Sequence, residues 1–319
     1  MQSREALLVH VAELYYEQGM SQQNVAETMR LSRPTVSRLL DEAKDCGIVE
    51  ITVHSPLKKD AGLSARLRLE FGLRDAMVVS GSYDYDKAMR RCAQAAGDMF
   101  RAVVDSGMTV GISWGRAMRA FCNQFPEQKH IYNVNVVQMI GCLGTGNPHL
   151  DGVELSLTLA KKLNGMFRNV YAPVYVDSEL VQSYLLREPS VEQAIRQARQ
   201  ADIVLSGIGS MDDANGSLFS AGYFTEEERC ALVESGAAAI LLGRMLDRDG
   251  VEINPHGKFV VGAELDDMRQ AKWRIGINAS ASASKATLAA VRSGCINSLV
   301  VDEPLARAML EENGTPYLN

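Results

Sequence analysis

The sequence holds no Cys-x-x-Cys pair, and its six cysteines, at 46, 92, 122, 142, 230 and 295, have no histidine at ligand spacing. A structural zinc, another metal site or a disulfide framework is therefore not expected, and the thiols read as reduced and mostly buried. No apolar run approaches the roughly 18 residues of a membrane span. The opening MQSREALLVHVAELYYEQG is amphipathic and acidic, where a secretory signal is basic and then apolar. The expectation is a cytoplasmic protein with no membrane partner. Basic residues are not in excess either: 33 Lys and Arg against 39 Asp and Glu leave a formal charge of −6. Any nucleic-acid contact must come from a local cluster, with the acidic remainder facing elsewhere. Neither a Gly-x-x-x-x-Gly-Lys-Ser/Thr loop nor a complete Gly-x-Gly-x-x-Gly occurs, which weighs against a nucleotide switch, and no cofactor is expected. What is present is a globular composition, 319 residues with 46% hydrophobic and 23% charged, long enough for about two domains.

The first part of the chain is helical in pattern. Apolar positions three and four apart run through Leu7, Leu8, Val11, Ala12, Leu14 and Tyr15, then Val25 and Met29, then Val36, Leu39, Leu40 and Ala43. Gly19 ends the first helix, Ser21 caps the second, Ser32 caps the third with Pro34 in its first turn, and Gly47 stops it. Residues 48–53 then alternate as a strand does, so the outline is a winged helix-turn-helix over residues 1–55. Residues 56–74, a polar hinge and a helix carrying Leu63, Leu67 and Phe71, read as a linker helix. Residues 75–319 alternate short apolar runs with amphipathic stretches: 76–79, 109–112, 134–140, 170–172, 203–205, 238–242, 273–277 and 298–301. That is the signature of an α/β domain with a mostly parallel sheet, whose ligands sit at the carboxyl ends of the strands.

In the second and third helices a tight connection runs through Arg30 and Leu31. If Val36, Leu39, Leu40 and Ala43 pack inward, then Arg33, Thr35, Ser37 and Arg38 point outward from the first turns, with Ser32 at their head. Those five residues are the candidate contacts to double-stranded DNA, since a recognition helix enters the major groove by its N-terminal part. Residues 1–60 hold seven Lys or Arg and nine Asp or Glu, which also suits a plain three-helix bundle with a solvated face. Arg30, Arg33 and Arg38 nevertheless cluster on the second and third helices, while Glu5, Glu13 and Glu17 belong to the first.

The order of a Gly-Met-Ser-Gln helix-turn-helix, Gly111-Ile112-Ser113-Trp114-Gly115-Arg116, Ser206-Gly207-Ile208-Gly209-Ser210, Ser220-Ala221-Gly222-Tyr223, Gly243-Arg244-Met245-Leu246-Asp247-Arg248-Asp249-Gly250 and Gly294-Cys295-Ile296-Asn297, running on to Asp302-Glu303, resembles the SorC family of bacterial sugar-responsive transcriptional regulators. The resemblance covers almost the whole chain. It implies an operator-binding N-terminal domain and a larger effector domain similar in fold to sugar-phosphate isomerases and deaminases. It also implies a carbohydrate effector (sugar, sugar alcohol or sugar phosphate) and assembly as a homo-oligomer, dimer or tetramer.

Four segments are candidates for the effector. Ser113, Trp114, Gly115 and Arg116 follow a strand and open a helix; small residues there admit an oxyanion or hydroxyl to the backbone, or simply make a packed turn. The family has a further Gly where Ser113 stands. Gly141, Cys142, Leu143 and Gly144 form a second glycine-rich loop, which in the family contacts the effector. Cys142 reads as a small filler, and residues 138–146 contain no Lys for a Schiff base of the kind one member type uses. Asp247 matches an acidic position that faces the ligand in relatives, while Asp249-Gly250 signals a turn. Ala279-Ser280 stand where relatives carry a Gly pair, Ala281 where an acid follows and Ala283 where a phosphate-pairing Lys follows, while Lys285 is out of phase; Asn278 and Ser280, with Ser282 and Ser284, are the candidate neutral donors and acceptors here. Serine and asparagine in place of that cation favour an unphosphorylated sugar or sugar alcohol over its phosphate.

The competing reading is a working isomerase or deaminase with an appended DNA-binding module. It needs a general acid or base, for which Asp247, Asp212, Asp213 or His149 offer themselves, but no Glu/His or Asp–His constellation marks the predicted strand ends. No catalytic residue is assigned.

Overall fold

Serine side chains set where the first helices begin. In the computed structural model, which describes residues 4–46, 48–49, 57–81, 83–144, 150–213 and 216–314, Ser21 Oγ accepts the Asn24 N–H at 3.1 Å and Ser32 Oγ accepts the Thr35 N–H at 3.3 Å. These caps open α2 (Gln22–Met29) and α3 (Arg33–Asp45), the latter with Pro34 in its first turn. The preceding helix α1 (Arg4–Ala12) runs on as a wider π turn through Glu13–Glu17. Arg30 takes a left-handed conformation, φ 53°, so α2 stops and the Leu31 N–H returns to Ala26 O at 2.8 Å. Leu8, Val11, Val25, Val36, Leu39 and Leu40 form the buried centre of this unit. Gly47 and the strand and hinge expected at 48–60 fall largely on residues 47 and 50–56, outside the described residues.

Contacts divide the chain into two units, Met1–Pro56 and Leu57–Asn319. The boundary assigns the expected linker helix differently. Helix α4 (Ala61–Glu70), capped by Asp60, buries Leu63 and Leu67 in the same core as Leu299, Val301 and Leu305, and Ser64 Oγ accepts the Val78 N–H at 2.9 Å. It is a structural helix of the second unit, because its apolar stripe finds a sheet to cover.

Among its described residues the second unit has thirteen strands: β1 (Asp75–Val79), β2 (Thr109–Ile112), β3 (Asn135–Gln138), β4 (Met166–Arg168), β5 (Tyr175–Val176), β6 (Ile203–Gly207), β7 (Gly209–Ser210), β8 (Ala237–Leu241), β9 (Arg244–Asp247), β10 (Glu252–Ile253), β11 (Phe259–Val260), β12 (Trp273–Ile277) and β13 (Ser298–Asp302). Seven of them make one parallel sheet in the order β1-β13-β12-β6-β2-β3-β4. Both faces are covered. Ile203, Leu205, Ile275 and Ile277 pack on one side with Phe100, Phe121 and Phe125, while Val204, Leu299 and Val301 pack on the other. The three phenylalanine rings lie 5.2 to 5.5 Å apart between centroids, and each such buried ring contributes roughly 1.5–3 kcal/mol.

Two of the expected parallel strands differ. Residues 170–172 form no strand but a tight turn between β4 and β5, in which the Ala172 N–H donates to Val170 O at 2.9 Å. The run 238–242 lies mostly in β8, which belongs to a separate antiparallel sheet, β10-β9-β8-β7. Leu242 and Gly243 both take positive φ, 48° and 72°, in the turn that folds β9 back on β8. A buried apolar run reads the same in either kind of sheet, so periodicity cannot separate them.

Candidate effector cavity and polar helix face

From β2 the chain moves outward to β3 and β4, whereas from β6 it moves the other way to β12 and β13. The carboxyl ends of β2 and β6 therefore mark a topological switch point, where a crevice is left between diverging connections. A cavity of about 400 Å³ opens there. Its floor comes from the strand ends: Ser113, Ser206 and Asn278 follow or end β2, β6 and β12. Its roof comes from Ser210, from Leu242 and Gly243 at the β8–β9 turn, and from the short helix Ser217–Ser220. Ser206 Oγ donates to Ser113 Oγ at 3.3 Å, a buried hydroxyl pair at the centre of the floor.

Helix α5 spans Tyr85–Arg101, and Arg116 opens the next helix, α6 (Arg116–Gln124). Its cap, Gly115, has φ 103°, a conformation that favours glycine, and a Cβ there would press on Ser217 Oγ at 3.0 Å. The Arg116 guanidinium pairs with Asp213 and lies 4.8 Å from the centroid of the Tyr85 ring. Burial pushes the Tyr85 phenol above its usual range, so it remains a neutral donor. Among the described residues the lining holds one cation, Arg116, two carboxylates, Asp212 and Asp213, and no lysine or histidine. Trp114 and Phe219 add flat apolar walls. A cavity of this size with hydroxyls, a few charges and aromatic walls suits a small polyhydroxylated molecule.

Of the expected effector residues, the structure brings Ser113, Trp114, Gly115, Arg116, Asn278 and Ser280 to the cavity wall. Asn278 is spent on the wall itself: Nδ2 donates to Ile208 O and Thr287 Oγ1, and Oδ1 accepts the Ala279 N–H. Ser280 has φ 81° and its N–H donates to Asp302 Oδ1 at 3.1 Å. Lys285 does not line the cavity.

The structure does not bring Gly141, Cys142, Leu143, Gly144 or Asp247 to it. A Cβ at Gly141 would sit 2.5 Å from Pro173 O, so this glycine serves a close backbone crossing. Leu143 is buried in the core, and Cys142 Sγ donates to Val170 O at 3.3 Å while burial raises its thiol pKa. Gly144 N–H is taken by Asp151. This loop stands behind Trp114, whose Nε1–H donates to Gly141 O. Asp247 Oδ1 accepts the N–H groups of Asp249 and Val251, each at 2.9 Å. Asp249 lies in the turn expected of it, and the Asp247 side chain closes that turn. Tyr85, Ser206, Asp213, Ser217 and Gly243 line the cavity and were not singled out as ligand residues; Ser206-Gly207 at a strand end was the one local signal that pointed to them. His149 lies outside the described residues.

On α3, Arg33 and Arg38 are exposed and Ser37 is half-buried. Ser32 and Thr35 are already engaged, with their hydroxyls 2.7 Å apart at the cap. The inward residues are those expected from the pattern, Val36, Leu39, Leu40 and Ala43.

Residues 55–311 match the family described as "Putative sugar-binding domain". Over 311 residues the chain is 30% identical to the deoxyribonucleoside regulator of Bacillus subtilis, covering 97% of this chain and 98% of that protein. It is 27% identical over 309 residues to the sorbitol operon regulator of Klebsiella pneumoniae, covering 96% and 98%. The crystal structure of that full-length regulator, SorC, superposes with a TM-score of 0.73 at 26% identity, covering 95% of this chain and 98% of the other. The chain belongs to the SorC family. Like the relatives it matches from end to end, this SorC-family chain is a transcriptional regulator with a sugar-binding domain rather than an enzyme. The matched segment contains every residue that lines the cavity, and α1 to α3 precede it. No helix among the described residues is long and apolar enough to cross a membrane.

Proposed function

We propose that the cavity at the β2/β6 switch point holds a carbohydrate effector, and that its occupancy shifts the population of chains able to hold an operator. The observation that carries the reading is the hydroxyl-lined cavity of about 400 Å³ inside the segment that matches the sugar-binding family. Relatives named for a sorbitol operon and for deoxyribonucleosides support a sugar, sugar alcohol or sugar phosphate as the ligand class. Operator contact falls to α3, with Arg33, Ser37 and Arg38 reaching base edges or phosphates while Ser32 and Thr35 fix the start of the helix. The active form in this reading is a cytoplasmic homo-oligomer, dimer or tetramer, since paired recognition helices address half-sites about one helical turn apart. The ligand acts only if it binds one arrangement of the oligomer more tightly than the other.

A thermal-shift screen of sugars, sugar alcohols and their phosphates tests this reading, because a ligand of the folded state raises its stability with the logarithm of concentration. The doubly substituted Ser113→Val, Ser206→Val chain should lose the shift from any hit and still retard operator DNA. A hit that stabilises this variant as well as the wild type sinks the assignment of the cavity.

A further inference from the structure

The cavity reading above leaves the charge of the effector open, and the lining bears on it. Arg116 is the one cation among the described lining residues, and it meets the cavity already engaged: Asp213 takes its guanidinium edge and the Tyr85 ring takes a face. Asp212 adds a second carboxylate to the wall. Two neutral donors that would otherwise cradle an anion are also committed. The Asn278 amide hydrogens go to Ile208 O and Thr287 Oγ1, and the Ser280 N–H goes to the carboxylate of Asp302.

We propose that Asp213 sets the charge class of the effector: by holding Arg116 it fits the cavity to an uncharged sugar or sugar alcohol and turns away the corresponding phosphate ester. An entering phosphate has to strip Arg116 from Asp213, and it leaves that carboxylate, beside Asp212, facing a new anion in a half-enclosed space. An uncharged polyol meets no such conflict. Its vicinal hydroxyls donate to the carboxylates and both donate to and accept from Ser113, Ser206, Ser210 and Ser217, so it leaves the Arg116–Asp213 pair intact and adds no charge to the cavity. The Trp114 and Phe219 faces then cover the carbon skeleton.

The inference rests on the carbohydrate reading, and the test separates the two. Isothermal titration of the full chain uses matched pairs, sorbitol with sorbitol 6-phosphate, ribose with ribose 5-phosphate and glucose with glucose 6-phosphate, and inorganic phosphate alone. The wild type should bind an uncharged member at least about tenfold more tightly than its ester, and Asp213→Asn should shift that ratio toward the ester by about tenfold or more. Asp213→Glu, which keeps the charge, should retain the wild-type preference. An ester that binds the wild type more tightly than its parent, or a ratio that Asp213→Asn leaves unchanged, overturns the proposal while the carbohydrate reading stands. Failure of every pair to bind removes both. Should Asp213→Asn not fold, Asp213→Ser carries the same test: the ratio must again shift toward the ester, and an unchanged ratio overturns the proposal.

Discussion

Arg33 and Arg38 stand exposed on α3 with no ion-pair partner among the described residues, while Arg116 in the second unit is already held by Asp213 and Tyr85. The contrast follows from where each partner comes from. A helix face in water pays little to keep a guanidinium free, and a polyanion arriving there releases its own counterions. A cavity half-shut to solvent has to satisfy its charges before any ligand arrives, since a lone buried charge is costly. Free cations on one unit and internally matched polar groups on the other are therefore the marks of a large charged partner and a small one. The hydrogen bonds of Asn278 belong to the same economy, fixing a wall that the ligand only touches.

The sharpest way to break the comparison is to remove the free cations. Arg38→Ala should cost about 1–3 kcal/mol of operator affinity, and Arg33→Ala a similar amount if its contact is to a base. Where the contact is to phosphate, the salt dependence of binding should fall by about one unit of slope per arginine. Titration of a fluorescent operator across salt concentrations reads both, and the melting temperature and any sugar response should stay put. A variant that loses sugar response and keeps operator affinity would reverse the roles of the two units.

A second test concerns acid. His256 lies between Tyr175 and Phe224, at 5.4 and 5.3 Å between ring centroids, and its Nδ1 accepts the Lys258 N–H at 2.9 Å. Burial first, and then the Lys258 cation, lowers its pKa to about 4 from the ordinary 6.5. Because the folded state resists the proton, this histidine has no effect above pH 6.5. As pH falls from there toward 4 the unfolded chain gains the proton first, and stability is lost. The loss is on the order of 1–2 kcal/mol once solvent access to the half-buried ring is allowed for. Urea unfolding of His256→Gln against wild type at pH 7 and pH 4.5 should show a smaller acid loss in the variant. Equal losses would place the acid sensitivity elsewhere. The ring neighbours Tyr175, whose hydroxyl donates to Gly243 O at the cavity wall, so the same acid step bears on the effector unit rather than on α3.

How much of this was legible in the sequence depends on whether local chemistry or long-range packing decided the matter. The caps at Ser21 and Ser32 and the inward face of α3 follow from residues three and four apart, and they appear as expected. The strand ends at Ser113 and Ser206 were readable too, because small residues between an apolar run and a helix mark a carboxyl edge of a parallel sheet. The loop at Gly141 was not. Like the loop at Gly115 it places glycine after a strand, but its glycine is there for the carbonyls of Ala172 and Pro173, some thirty residues on, and nothing in the local sequence announces that crossing. Tyr85 was illegible for the same reason, and Asp213 stood out only as a candidate acid or base, since both meet Arg116 only across the folded unit.

Asp247 gives the smallest and most discriminating effect. Its position in the chain marks a ligand residue by resemblance, yet its side chain closes the turn after β9 by accepting two backbone N–H groups. Asp247→Ala leaves those donors to water at an exposed turn, so the expected cost is about 1 kcal/mol of stability. Affinity for whatever sugar the wild type binds should be unchanged. Asp247→Asn keeps an acceptor at the same place and should recover most of the lost stability, which a change in ligand contact would not predict. Denaturant midpoints and titrations on the same three proteins decide it. Lost sugar binding with an unchanged midpoint would return Asp247 to the cavity and show that the turn opens in solution.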